Sequence, residues 1–481
     1  MVRVVLFSLF VGVTFGAIPA TAVWELRTGG SVNNAGCYSA AGGGVDYTQQ
    51  DAAQYTYSDL VLVTTTTVSS ASHPFTNADV GNCLRITTST LGWIPGIYYI
   101  QSQSAGIATL DRIAGAMGST GGTFFVGGAI SLPTAMMNFV VNGNTVWFRS
   151  GTYTVNAVSN LAAGGGAGKV TISGYGSTRG DNGTATWTTA TNNVHLLGIT
   201  GNTKGVELRQ LTMSNSTTGN NKGNCIGFSE NTVELFYIHD MIFSGCRSAI
   251  NQTAASSFAR YFIENVEITG SYNSGIIISR QANLWVNNSY IHNNGSAPGG
   301  EDGIDVSGNF LHYVVLTNVV LSNNQRHGFT LASNSGLGSF TFQNVVFSGN
   351  GSAGLFQSDT VNTSSAWFYN CVFWGNGTYG IQWNGTLPPL MAAQRNNAFG
   401  GNGSGAYVNF PAGPGEVTLT ANPFVSSSNF SPNETAGGGA ALRGMGFPGS
   451  TLYGTGYPDI GALQSQAGSS GGGTRVYGSA Q

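Results

Sequence analysis

A chain of 481 residues with a formal net charge of -3 and only 8% charged residues carries no electrostatic footprint for nucleic acid or for an anionic membrane. Its hydrophobic content of 41% excludes disorder, and its 72 glycines exclude a helical bundle. The length exceeds one ordinary globular domain, which leaves either two domains or one elongated repeat.

At the N-terminus, Arg3 precedes an apolar run from Val4 to about Ala17, and the run ends in Ala20-Thr21-Ala22. Residues 1–22 therefore read as a signal peptide cleaved before Val23, with an uncleaved anchor or an apolar arm of a virion protein as the alternatives. No other stretch approaches the ~18 apolar residues of a membrane span, so none is expected once the signal is removed. Residues 45–130 hold alternating runs (Thr65–Val68, Leu84–Thr87, Ile97–Ile100, Ala108–Asp111) between Gly- and Ser-rich turns, and read as a small all-β insertion.

From there a repeat takes over. Short runs opening on a polar residue begin at Gln210, Asp240, Asn265, Asn288, Asn318, Asn344, Asn370 and Asn396, the last seven separated by 25, 23, 30, 26, 26 and 26 residues, and Asn422 lies another 26 downstream. Ten residues after most of them comes a Gly with an alternating triplet, as at Gly275, Gly328, Gly354 and Gly380. A third apolar strand precedes each polar position, as in Phe340–Phe342 and Ala366–Phe368. Three short strands per ~25 residues describe a coil whose turns stack as parallel sheets, each rung rising ~4.8 Å. The recurring Asn is expected to bond its own turn and the Asn one rung away, forming a ladder. The tail from 465 to 481 is Gly- and Ser-rich and reads as flexible.

These features resemble the right-handed parallel β-helix superfamily that includes pectate lyases and phage tailspikes, and more distantly uncharacterised bacterial and phage β-helix repeat proteins. Residues 142–154 (NGNTVWFRSGTYT) resemble the opening of such coils, and residues 24–36 (WELRTGGSVNNAG) resemble the lead-in before it. Asn422–Phe424 and Pro458–Gln464 resemble the closing rung. The resemblance implies an all-β fold: a lead-in over 23–44, the insertion at 45–130 and a three-sheet coil over 136–464. It implies no particular chemistry, because the superfamily holds lyases, hydrolases, isomerases, adhesins and virion parts.

The five cysteines show no metal-ligand spacing, and their odd number forbids full pairing; Cys371 falls at an inward position and reads as a buried free thiol. Sequons such as those at Asn294 and Asn376 are numerous in so Asn- and Ser-rich a chain and do not establish glycosylation.

The alternation also assigns outward rows. Glu267, Tyr290, Val320, Val346, Val372 and Ala398 form an apolar stripe that ought to be covered, by the insertion, a loop, the tail or a second subunit. Phe262, Trp285, Val315 and Trp367 point outward on the strand before the ladder, as interface or sugar-stacking residues. A third row, Ile277, Asp305, Thr330, Phe356, Gln382 and Tyr407, mixes aromatic and hydrogen-bonding groups as a glycan surface would, with Thr330, Phe356, Gln382 and Tyr407 as its carbohydrate contacts. The resemblance places the active sites of pectin-degrading enzymes on this same face.

One charge cluster lies on that flank. Between Asn288 and Gly303 the repeat carries five extra residues, and aligning Gly303 with Gly328 sets Glu301 near Arg326 and Asp302 near His327. A carboxylate beside the imidazole would hold it protonated as a general acid, with Asp305 as base toward water. At ~3.3 Å per residue, Asp302 and Asp305 would stand roughly 10 Å apart, too far for a retaining glycosidase pair and marginal for an inverting one, unless the loop bends Asp302 closer. The competing reading is an ion-pair network with room for a calcium ion; no other cofactor is expected. The lyase and polygalacturonase patterns of the superfamily are incomplete, since lysine is absent after Lys222 and the central bases reduce to Arg280 and Arg326. Two functions follow: a secreted or virion-associated surface protein that binds polysaccharide or cell-surface glycan, or self-assembles through its apolar stripe, or both; or a polysaccharide hydrolase or lyase built on Asp302, Asp305 and His327 with Glu301 and Arg326.

Overall fold

The computed structural model describes residues 18–162, 168–200, 205–228, 234–252, 259–279, 282–307, 312–332, 338–358, 365–384, 391–447 and 458–464. The apolar run to residue 17, Arg280 and the tail from 465 lie outside them. Among the described residues helical structure is confined to three-residue 3-10 turns, and no helix is long and apolar enough to cross a membrane. The chain forms two units, one of residues to Trp24 with Asn33–Ala129, the other of Glu25–Val32 with everything from Ile130.

The first unit is a closed antiparallel barrel of six strands, Tyr55–Leu62, Thr67–Ser69, Cys83–Ile86, Gly96–Ser104, Ile107–Leu110 and Gly122–Val126. Alternation sends Leu60, Leu62, Leu84, Ile86, Phe124 and Val126 into its core. A Cys37–Cys83 disulfide ties the stretch after Asn33 to this barrel.

The second unit is the coil, a parallel β-helix with three strands per turn. Its strands before the ladder residue form the first face, those after it the second, and a ten-stranded parallel sheet from Ser159–Leu161 to Gly405–Val408 the third. The ladder residues Gln210, Asp240, Asn265, Asn288, Asn318, Asn344, Asn370 and Asn396 all hold φ between 47° and 55°, a left-handed corner that Asn tolerates better than other side chains. Asn318 donates to Asn288, Asn344 to Asn318 and Asn370 to Asn344, at 3.0–3.1 Å.

Six residues further on runs a second, interior ladder. Asn294, Asn324, Asn350, Asn376 and Asn402 pass amide to carbonyl at 2.9–3.1 Å, and each also donates to a backbone carbonyl. The two sequon residues Asn294 and Asn376 are among them, each 1% exposed, so neither is accessible for glycosylation in the folded coil. Inside, like side chains stack rung on rung, as Phe347, Phe373 and Phe399 do at 4.7 and 4.8 Å.

Cys225 and Cys246 pair across adjacent rungs, and Cys371 is buried and free. Asn422 does not extend the ladder. Phe447 bonds Asn370 and the Met445 carbonyl accepts from Asn396, so the C-terminal segment takes over the ladder's end. That same segment lays Leu419, Phe424, Phe430, Leu442, Ile460 and Ala462 over Val320, Val346, Val372 and Ala398, which are at most 4% exposed. The apolar stripe from Val320 to Ala398 is thus covered within the chain.

Candidate functional site

The acidic corner grows from the five-residue insertion. Gly295, Gly299 and Gly300 take positive φ, and the loop turns back so that Glu301 and Asp302 precede the strand Ile304–Ser307. The rung register is as the Gly303–Gly328 alignment sets it: Arg326 donates its backbone N–H to the Glu301 carbonyl, and Gly303 to that of His327. The side chains then cross. Arg326 grips Asp302 with two prongs, Nε to Oδ1 at 2.9 Å and Nη2 to Oδ2 at 2.6 Å, while the His327 backbone N–H donates to Oδ1 at 3.0 Å. Asp302 has no exposed surface. Glu301 stands 3.7 Å from Arg326 and accepts from the Ser274 hydroxyl at 3.3 Å.

Glu301, Asp302 and Asp305 each bring a carboxylate oxygen within 4.8 Å of the other two. The separation of roughly 10 Å expected for an extended chain is corrected, because the chain bends at Gly303. Both oxygens of Asp302 accept from Arg326, and Oδ1 also accepts a backbone N–H.

His327 is not the protonated acid anticipated. Its Nδ1 accepts the Ala353 backbone N–H at 3.0 Å, its ring lies on Phe356 at 4.4 Å, and burial pushes its pKa down to about 4. Asp302 touches the backbone of residue 327, not the imidazole. Asp305 moves the other way. Burial first, then the charge of Asp302, raises it to about 7, with Arg326 opposing. At neutral pH it is divided between acid and base instead of being a free base. Its Oδ1 is buried without a hydrogen-bond partner among the described residues, as is Oγ1 of Thr330 one rung on.

The third-face row runs Ile277, Asp305, Thr330, Phe356, Gln382, Val408. Tyr407 is not in it: it pairs with inward Ile381, sets its ring edge-on to Phe399 and donates to Glu416. A last strand ending the coil has no following rung to keep its alternation in phase. Thr330 is only 4% exposed, so its side chain is not a surface contact. Phe356 and Gln382 remain half-buried on the row.

The first face holds what the sequence reading undervalued. Tyr237, Phe262 and Trp285 stack at 5.1 and 4.5 Å, and beyond Trp285 the same outward row continues through Val315 and Thr341 to Trp367 and Ala393. Upstream, Glu207 binds Lys169 and His239, and His239 also binds Asp240. Those contacts hold Glu207 down at about 2 and raise His239. The 30-residue spacing of Gln210 and Asp240 sets His239 beside Arg209.

The fold is that of the right-handed parallel β-helix proteins. Residues 237–387 match a family model described as the right handed beta helix region. Among solved structures the chain is similar to pectate lyase Pel9A, at 16% identity and TM-score 0.44 over 70% of this chain and 92% of that one. It is also similar to the catalytic domain of a GH87 alpha-1,3-glucanase in complex with tetrasaccharides (12%, 0.34, over 75% and 89%) and to ORF18 of Geobacillus virus E2 (12%, 0.26, over 57% and 52%). No curated protein matches the chain. Likenesses this distant carry no substrate to it.

Proposed function

We propose that this protein is a glycan-binding surface protein, secreted or carried on a virion, that lays a polysaccharide strand along the first face of its coil. One observation carries the reading. Trp285 and Trp367 stand on the same outward row three rungs apart, roughly 14 Å at the rung spacing, with the smaller Val315 and Thr341 as the floor between them. Trp367 has only Thr341 and Ala393 in register beside it, so small neighbours leave its indole uncrowded. Asn287, Thr317, Gln343 and Tyr369 flank the strip on one side and Tyr313, Ser339 and Ser365 on the other. Aromatic faces with uncharged hydrogen-bonding flanks suit the alternating C–H and hydroxyl surface of a sugar chain. Two disulfides support export to an oxidising compartment.

Affinity electrophoresis through gels containing neutral or acidic polysaccharides tests this. At least one polysaccharide should retard the protein, and Trp285→Ala with Trp367→Ala should remove most of the retardation. Unretarded migration in every gel would refute the reading.

A second reading rests on Asp305, whose carboxyl keeps a proton near neutrality as a glycosidase acid must. It requires release of reducing ends from a polysaccharide, at a rate falling as pH rises through about 7 and lost in Asp305→Asn.

A further inference from the structure

A cleft of about 170 Å³, open to solvent, lies between the second face of the coil and the C-terminal segment that covers it. Its coil wall is a row one residue wide. Ser348 and Trp374 follow each other in register on successive rungs, with Asn323, Gly349 and Gly375 beside them.

Trp374 is placed by what surrounds it. A Cβ at Gly401 would lie 3.2, 3.3 and 3.4 Å from three atoms of the indole's six-membered ring, and one at Gly400 only 2.8 Å from a fourth. The ring therefore rests against bare backbone on that rung, which glycine alone permits, and Gly401 also holds φ at 63°. On the other side the next rung offers only Ser348 and Gly349, and it is here that the cleft opens. The indole is backed by backbone, packs partly against the covering segment, and lines the cleft beside the small residues Ser348 and Gly349.

The opposite wall comes from the covering segment. Phe424 and Phe430, each 5% exposed, line it together with exposed Asn422 and Ser427, and exposed Asn323 lines the coil side. No lining residue is charged. An indole platform, two phenyl rings and a rim of amides and hydroxyls meet the demands of a sugar ring, which presents an apolar C–H face and a girdle of hydroxyls. A uronic acid would bring a carboxylate with no cation to meet it, and an unpaired charge there is costly.

We propose that this cleft is a second saccharide site, separate from the first-face strip, that takes a neutral pyranose unit stacked on Trp374. It rests on the proposed glycan-binding function for its biological sense but on different residues for its chemistry. The coil then holds one glycan at two points, and the two contacts reinforce each other through effective concentration.

The test uses the full chain. An array of neutral and uronate-containing oligosaccharides identifies a ligand, and calorimetric titration measures it against variants. Ser348→Leu and Ser427→Trp fill the cleft from its two walls without removing any core contact, and Trp374→Ala removes the platform. Each should weaken a neutral oligosaccharide by roughly tenfold or more, with the melting temperature of the two filling variants unchanged. Repeating the titrations in the Trp285→Ala, Trp367→Ala background removes the strip's share, and the losses caused by Ser348→Leu and Ser427→Trp should persist there. Neutral binding unaffected by Ser348→Leu and Ser427→Trp would overturn the cleft while sparing the strip, as would binding of uronates alone at the cleft. Absence of any glycan binding would overturn both.

Discussion

Arg326 shields a carboxylate that has no surface of its own, and that pairing decides what the acidic corner is for. Asp302 is spent on holding the insertion against the next rung, so it is a positioning residue. Removing Arg326 leaves a buried charge without its partner. The Arg326 side chain is 38% exposed, so water recovers part of the loss, and Arg326→Ala is expected to cost about 2 kcal/mol in urea unfolding. Adding Asp302→Asn to that variant should restore part of the loss, because the stranded charge is then gone; no recovery would show that the ion pair was not the cause.

Asp305 and His327 give the corner opposite pH dependences. Asp305 has a folded pKa of about 7, above its unfolded value, so its contribution to stability is full below about 4 and is lost as pH rises through 7. His327 has a folded pKa of about 4, below its unfolded value, so its contribution is present above about 6.5 and is lost as pH falls through 4. Replacing Asp305 by Asn should therefore stabilise the protein at pH 8 by on the order of 2 kcal/mol, with the gain gone at pH 4. Denaturant midpoints across that range check it, and a gain equal at both ends would mean that titration plays no part.

At the scale of elements the two ladders differ in what they satisfy. The corner ladder caps an exposed turn, whereas the interior one pairs buried backbone. Asn350 accepts from the backbone and side chain of Asn324 and donates to the Leu321 carbonyl and to Asn376. Its removal strands several of these groups out of reach of water. Asn350→Ala is expected to cost about 3 kcal/mol, and Asn344→Gly, which keeps the left-handed corner, about 1 kcal/mol. Hydrogen exchange at the Asn324 amide should quicken in the first variant and stay slow in the second.

The corner ladder was legible because its spacing coincides with the strand repeat. The interior ladder recurs just as regularly, at Asn294, Asn324, Asn350, Asn376 and Asn402, yet in a chain full of Asn its members passed for turn residues and sequons. Frequency alone cannot distinguish an Asn that caps a turn from one that threads the core. The inward side of its strand can, and that is a question of facing.

At the scale of the whole molecule, the coil's second face would be an exposed apolar strip without the segment from Leu419 to Ala462. A chain ended at Glu416 should self-associate, read as an increased mass by light scattering, while the full chain does not show that association. A monodisperse monomer after truncation would show that the stripe needs no cover.

The sequence alone determined the coil, its rung length, its corner ladder and the facing of the central strands, because each follows from local alternation and a period that repeats many times. It also placed Glu301, Asp302, Arg326 and His327 together, since stacking turns makes neighbours of residues about 26 apart. Only the tertiary structure decided which carboxylate Arg326 would take, that His327 would be neutral, that Tyr407 would turn inward, and that the chain would cover its own stripe. Those outcomes depend on side-chain rotamers, desolvation and the path of a non-repeating segment, and none of the three carries a period.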